Sequence, residues 1–172
     1  MPAEIVSFML NGRETVVVAN PLETLKNVLR DRLGYMATKS GCSQGGCGSC
    51  TVLVEGEPMV SCLLPVKDVE GLEVTTLEGL TKTAEELHPI QKAFVENYAM
   101  QCGYCTPGMI MTAKALLDRK PLPSHEEIAE ALSGNVCRCT GYQSIFAAIE
   151  EAAHQMSGHE WVAGHPVGGH TS

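Results

Sequence analysis

Eight cysteines in 172 residues, arranged in two unlike groups of four, constrain this chain more than any other feature. Cys42, Cys47, Cys50 and Cys62 follow the spacing C-x4-C-x2-C, with eleven residues between Cys50 and the fourth cysteine. Cys102 and Cys105 form a C-x2-C pair, and Cys137 and Cys139 a C-x-C pair. The N-terminus, Met1-Pro2-Ala3-Glu4-Ile5, lacks the basic start and apolar core of a secretory signal, so a cytoplasmic protein is expected. In a reducing compartment structural disulfides are uncommon and metal ligation leads. An even count alone fits four disulfides, and spacing has to decide. A bridge from Cys137 to Cys139 would close a very small, strained ring.

The spacing C-x4-C-x2-C opens the plant-type [2Fe–2S] sites. Two irons bridged by two sulfides need two pairs of thiolates, here offered by one loop and one distant anchor. Gly41, Gly45, Gly46 and Gly48 let that loop wrap closely around an anionic cluster, through positive φ and N–H groups turned towards sulfur. Such hydrogen bonds help to set a reduction potential. Structural zinc is the alternative, because both spacings also occur in four-cysteine zinc sites. Three ligands within nine residues of one glycine loop suit a binuclear cluster better.

In the second group C-x2-C is shared by redox dithiols and zinc sites, so the C-x-C pair carries more information. Each pair stands just before a predicted helix. Cys105 precedes Thr106-Pro107, read as an N-cap and an N1 proline, and Cys139 precedes the Thr140-Gly141 lead-in. Two helix N-termini would then face one site, with partial positive charge and free N–H groups suited to an anionic cluster.

The halves differ in periodicity. Glu4 to Leu10 alternates as a strand, Asn11-Gly12 signals a type I′ turn, and Thr15 to Ala19 returns. Leu22, Leu25, Val28 and Leu29 repeat at helical spacing up to Gly34. Cys50 to Val54 and Pro58 to Leu64 form a second hairpin around Glu55-Gly56, and Leu72 to Thr75 adds a strand. Residues 1–76 therefore read as one helix crossing a small mixed sheet. Residues 77–156 read as helices: Pro89 to Met100, Thr106 to Leu117, a segment capped by Ser124 and Glu127, and Tyr142 to Met156. Residues 157–172 form a Gly/His-rich tail in which His159, His165 and His170 read as solvated. With 12 basic against 20 acidic residues, net charge −8, nucleic acid is not an expected partner. No apolar stretch approaches a membrane span.

Three stretches together carry a resemblance: Gly41-Cys-Ser-Gln-Gly-Gly-Cys-Gly-Ser-Cys-Thr51, Gln101-Cys-Gly-Tyr-Cys-Thr-Pro-Gly108 and Gly134-Asn-Val-Cys-Arg-Cys-Thr-Gly-Tyr142. Over residues 4–156 the chain resembles the small iron–sulfur subunit of the molybdenum hydroxylases, the xanthine dehydrogenase and aerobic carbon monoxide dehydrogenase family. The resemblance implies an α+β chain: a β-grasp, plant-type ferredoxin-like domain followed by an all-α four-helix-bundle [2Fe–2S] domain. It implies two [2Fe–2S] clusters, a large partner subunit holding a molybdenum–pterin cofactor, a medium subunit holding FAD, and a dimer of heterotrimers. By the same resemblance the Cys102/Cys105/Cys137/Cys139 cluster lies nearer the pterin and is reduced first. Gln101 lies against the pterin, and Cys139 approaches its amino group. Tyr104, Tyr142 and Phe94 are candidate shields of the second cluster, and Met109 and Met111 read as core. No residue is expected to act on substrate. A free two-cluster ferredoxin and a double zinc module are the competing readings.

Overall fold

A computed structural model describes residues 2–81 and 86–159. Strands β1 (Glu4–Leu10) and β2 (Arg13–Ala19) pair antiparallel through Asn11 and Gly12, both at positive φ as a type I′ turn requires. Val6, Phe8 and Leu10 are buried on one face while Ile5 on the other is 68% exposed, which is the two-residue alternation of a half-covered sheet. The cover is a short helix, α1 (Leu25–Asn27), which runs on into a π-helical turn over Val28–Arg32. Its Leu25, Val28 and Leu29 lie wholly inside. Leu22 departs from the expected stripe. It is 66% exposed because it sits in a turn whose N–H groups bond to Asn20.

Strands β3 (Thr51–Val54) and β4 (Glu57–Val60) form the second hairpin, turning at Glu55 and Gly56 with positive φ. Strand β5 (Glu73–Thr75) inserts parallel to β1 and antiparallel to β3, giving the order β2-β1-β5-β3-β4. Cysteine loop residues 40–50 lead directly into β3, and Cys62 follows β4, so one hairpin carries both the loop and its distant anchor.

Helices α2 (Pro89–Glu96), α3 (Thr106–Arg119), α4 (His125–Ala131) and α5 (Gln143–Ser157) make up the second half. The Ser124–Glu127 capping box forms as the spacing predicts, and His88 with Gln91 makes another. Helix α2 stops at Glu96 rather than at Met100, since Tyr98 turns into the left-handed region. At α3 the N-cap is Cys105, and Thr106 is the first helical residue rather than the cap. Phe94, Met109, Ile128, Ile145 and Ile149 fill the core between these helices. Met111 instead leaves that core and packs with Ala115 against Leu53 of β3.

The two halves therefore share a small apolar seam. Beside it Gly108 of α3 is pressed against the cysteine loop: a Cβ there would stand 2.1 Å from the Gly48 carbonyl oxygen. Among the described residues no helix is long and apolar enough to cross a membrane. His159 lies exposed just past α5, and the tail residues His165 and His170 fall outside the described residues. Replacing Gly108 by Ala forces the loop and α3 apart. A cost of about 1–3 kcal/mol is expected from such overpacking, seen as a lowered thermal unfolding midpoint, whereas Gly12→Ala, an open site strained only by its backbone, should lose less.

Candidate metal centres

All eight cysteines are unbridged. They meet in pairs. Cys102 and Cys139 place their sulfurs 3.6 Å apart, well beyond the S–S bond of a disulfide. Cys105 and Cys137, Cys42 and Cys47, and Cys50 and Cys62 are likewise neighbours, each close enough for one thiol to shift the ionisation of the other. A single tetrahedral ion would draw four sulfurs around one point. Among the described residues no three His, Cys, Asp or Glu side chains gather that closely. Four cysteines at each site offer the donor set that two bridged irons take.

The first site is made by the loop. Gly45 and Gly48 adopt positive φ, and so does Ser43. Gly41 and Gly46 do not, contrary to the expectation that all four glycines serve in this way. Gly41 is needed for space instead, since a Cβ there would lie 2.8 Å from the Cys47 sulfur. N–H groups of Gln44, Gly46 and Cys47 converge on the Cys42 sulfur, with Gln44 at 3.5 Å. With the Cys47 side chain they hold the Cys42 thiol down to about 7. Burial pushes Cys50 up to about 11.

The second site lies where α3 and α5 begin. Cys105 caps α3, and Cys137 and Cys139 precede the left-handed Tyr142 that starts α5. A cavity of about 200 Å3 is lined by Cys102, Cys105, Cys137 and Cys139, and reaches Cys47 of the first loop. Burial, reinforced by Cys137, drives Cys105 up to about 12. Burial also opposes ionisation of Cys137, but the Thr140 hydroxyl at 3.2 Å and its N–H at 3.5 Å outweigh it and lower that pKa. Thiols held up by burial become thiolates when a cation binds them, so loading such a site releases protons.

Cys102 and Cys139 are exposed, as are Gln101 and Arg138, so this site opens on the surface. Of the aromatics, Phe94 is buried away in the helical core. Tyr104 donates its hydroxyl hydrogen to the Ser40 carbonyl, tying the second site to the first loop. The Tyr142 hydroxyl accepts from the Cys137 N–H at 2.9 Å and donates to the Asn135 carbonyl at 3.0 Å.

The spacing of the motifs does not single out Asn135, although it stands two residues before Cys137. It is buried, donates to the Gly48 carbonyl at 3.2 Å and accepts from the Thr112 hydroxyl at 3.0 Å. Its neighbour Val136 donates its N–H to the Cys47 carbonyl at 3.0 Å. A polar side chain inside a cysteine motif was the available signal, but only the packing reveals what it bonds.

Residues 3–98 match the 2Fe-2S iron-sulfur cluster binding domain family, and residues 76–150 the [2Fe-2S] binding domain family. The small FeS subunit of nicotinate dehydrogenase from Eubacterium barkeri is 45% identical over 88% of this chain and 96% of its own length. The small subunit of nicotine 6-hydroxylase from Paenarthrobacter nicotinovorans is 44% identical over 86% of this chain and 88% of its own. This chain belongs to the small iron–sulfur subunits of the molybdenum hydroxylase family. Among solved structures, quinoline 2-oxidoreductase from Pseudomonas putida 86 superposes with a TM-score of 0.87, at 42% identity, over 91% of this chain and 97% of the matched chain. The family fold agrees with the sheet-then-helices order above, and its members are electron-transfer subunits of oxidoreductases.

Tyr142→Phe leaves the Cys137 N–H and the Asn135 carbonyl without their shared partner. A loss of about 1–3 kcal/mol is expected for such part-buried groups. It should appear as faster thermal bleaching of the cluster absorbance in the family's holo form, with the ring's packing retained.

Proposed function

We propose that Cys42, Cys47, Cys50 and Cys62 hold one [2Fe–2S] cluster and Cys102, Cys105, Cys137 and Cys139 the other. The pairing supports an assignment by iron: Cys42 with Cys47 and Cys50 with Cys62 in the first, Cys105 with Cys137 and Cys102 with Cys139 in the second. When bound, each cluster supplies a one-electron site. The domain division then falls near residue 76, with the first site on the sheet and the second among the helices.

The observation that carries the reading is the Val136 N–H bond to the Cys47 carbonyl. One peptide bond separates Val136 from Cys137, so a single hydrogen bond joins a ligand residue of one site to the neighbour of a ligand residue of the other. Two carriers held this way work in series, and a double zinc module has no use for the connection. The exposed Cys102, Cys139 and Gln101 mark the entry side, where the pterin of a large molybdenum subunit docks. Electrons leave from the Cys42/Cys47/Cys50/Cys62 site towards FAD on a medium subunit. A cytoplasmic dimer of heterotrimers is the assembly this reading favours. The relatives named for nicotinate, nicotine and quinoline make a nitrogen heteroaromatic the substrate class to assay first.

The purified complex should contain about four irons and four acid-labile sulfides per copy of this chain, and two distinct EPR signals after dithionite reduction. Two zincs without a signal would end the proposal. Isolation of this chain alone, with no larger molybdenum-bearing partner, would favour a free ferredoxin. Cys139→Ser should abolish substrate-driven reduction of the acceptor while one cluster signal persists. Turnover with both signals unchanged would disprove the assignment.

A further inference from the structure

Lys26 lies inside the protein with no charge paired to it among the described residues. It belongs to α1 and is only 7% exposed. None of the ion pairs among the described residues includes it. Its ammonium donates instead to two neutral hydroxyls, Ser40 Oγ and Ser43 Oγ, each at 2.9 Å. A buried ion is normally paired, because hydroxyls alone do not restore what water supplied.

Its position is specific. Ser43 directly follows Cys42, and its positive φ is held while its hydroxyl meets the lysine. The Lys26 N–H donates to the Ser61 carbonyl at 3.0 Å, and Ser61 directly precedes Cys62. The Ser61 hydroxyl in turn donates to the Cys50 carbonyl at 2.7 Å. Lys26 is thus fastened to the neighbours of both cysteine pairs of the first site, one pair through its side chain and the other through its backbone. A loaded first site would place a large anion beside this helical lysine, between the glycine loop and its anchor.

Resting on the ligand assignment above, we infer that Lys26 is the counter-charge of the first cluster and raises its reduction potential. Passage of one electron from the second cluster leaves that cluster one charge less negative and the first one charge more negative. No bond is made or broken. A fixed cation at the receiving site therefore favours the reduced state there and biases the electron away from the helical site. Lys26 is a tuning residue: it touches loop hydroxyls and acts on the cluster through space.

The test is an EPR-monitored redox titration of the purified holo complex carrying Lys26→Met, Lys26→Gln or Lys26→Arg. Both neutral variants should shift the electron's distribution between the clusters at least tenfold towards the second, a fall of about 59 mV in one midpoint for a one-electron couple. The signal that shifts should be the one retained in Cys139→Ser, and Lys26→Arg should restore most of the change. Neutral variants that titrate at the unsubstituted potentials would overturn the inference. So would a shift confined to the other cluster, or loss of the first cluster from both neutral variants, which would make the lysine an assembly residue. If the unsubstituted complex itself lacked two signals, the ligand assignment would fail, and that outcome is distinct from all of these.

Discussion

The Gly48 carbonyl accepts hydrogen bonds from the Thr51 N–H, the Thr51 hydroxyl and the Asn135 side-chain amide, and the placement of both cysteine groups depends on it. Gly48 lies between Cys47 and Cys50 in the first loop, while Asn135 lies just before Cys137 in the second. Its positive φ turns the carbonyl towards the helical half, and the absence of a side chain at Gly108 lets α3 come close enough to meet it. A side chain at Gly108 would push α3 off the first loop, and one at Gly48 would strike Asn135. Because buried carbonyls and amides are costly to leave unpaired, this junction resists sliding as well as separation. A fixed junction is what two electron carriers in series require.

Around that junction the two sites are supported by different means. The first is wrapped by loop N–H groups and has a buried lysine bonded to residues beside both of its cysteine pairs. The second stands at two helix starts, with Thr140 and the Tyr142 hydroxyl bonded to Cys137, and it opens to the surface at Cys102 and Cys139. Hydrogen bonds, net charge and exposure are the variables that set the potential of an iron–sulfur centre, and the sites differ in all three. Two identical sites would give an electron no preferred direction. The asymmetry of the chain, a sheet followed by helices, is therefore part of its function.

Much of this was legible in the sequence because the responsible interactions are local. The Asn11-Gly12 turn, the alternation of Val6, Phe8 and Leu10, and the Ser124–Glu127 capping box each involve residues a few positions apart. Local pattern and structure part where a distant contact or a backbone twist intervenes. Leu22 kept helical spacing but fell in the Asn20 turn, and Tyr98 ended α2 early. Thr106 resembled an N-cap, yet Cys105 took that place next to Cys137. Gly41 resembled a conformational glycine and proved to be a steric one.

The eight cysteines, by their number and spacing, determined by themselves that this chain carries two unlike groups of four thiols, and with their flanking motifs they pointed to the family. Thiolate pairs must come from particular short segments, and spacing along a chain records that requirement directly. The tertiary structure alone decided which cysteine faces which, that Asn135 and Gly108 meet Gly48, and that Lys26 is enclosed beside the first site. Those facts depend on residues tens of positions apart being brought to hydrogen-bond distance. Nothing in the local sequence of Lys26 distinguishes it from a lysine on a solvated helix. Burial does, because a charge taken out of water must find another partner.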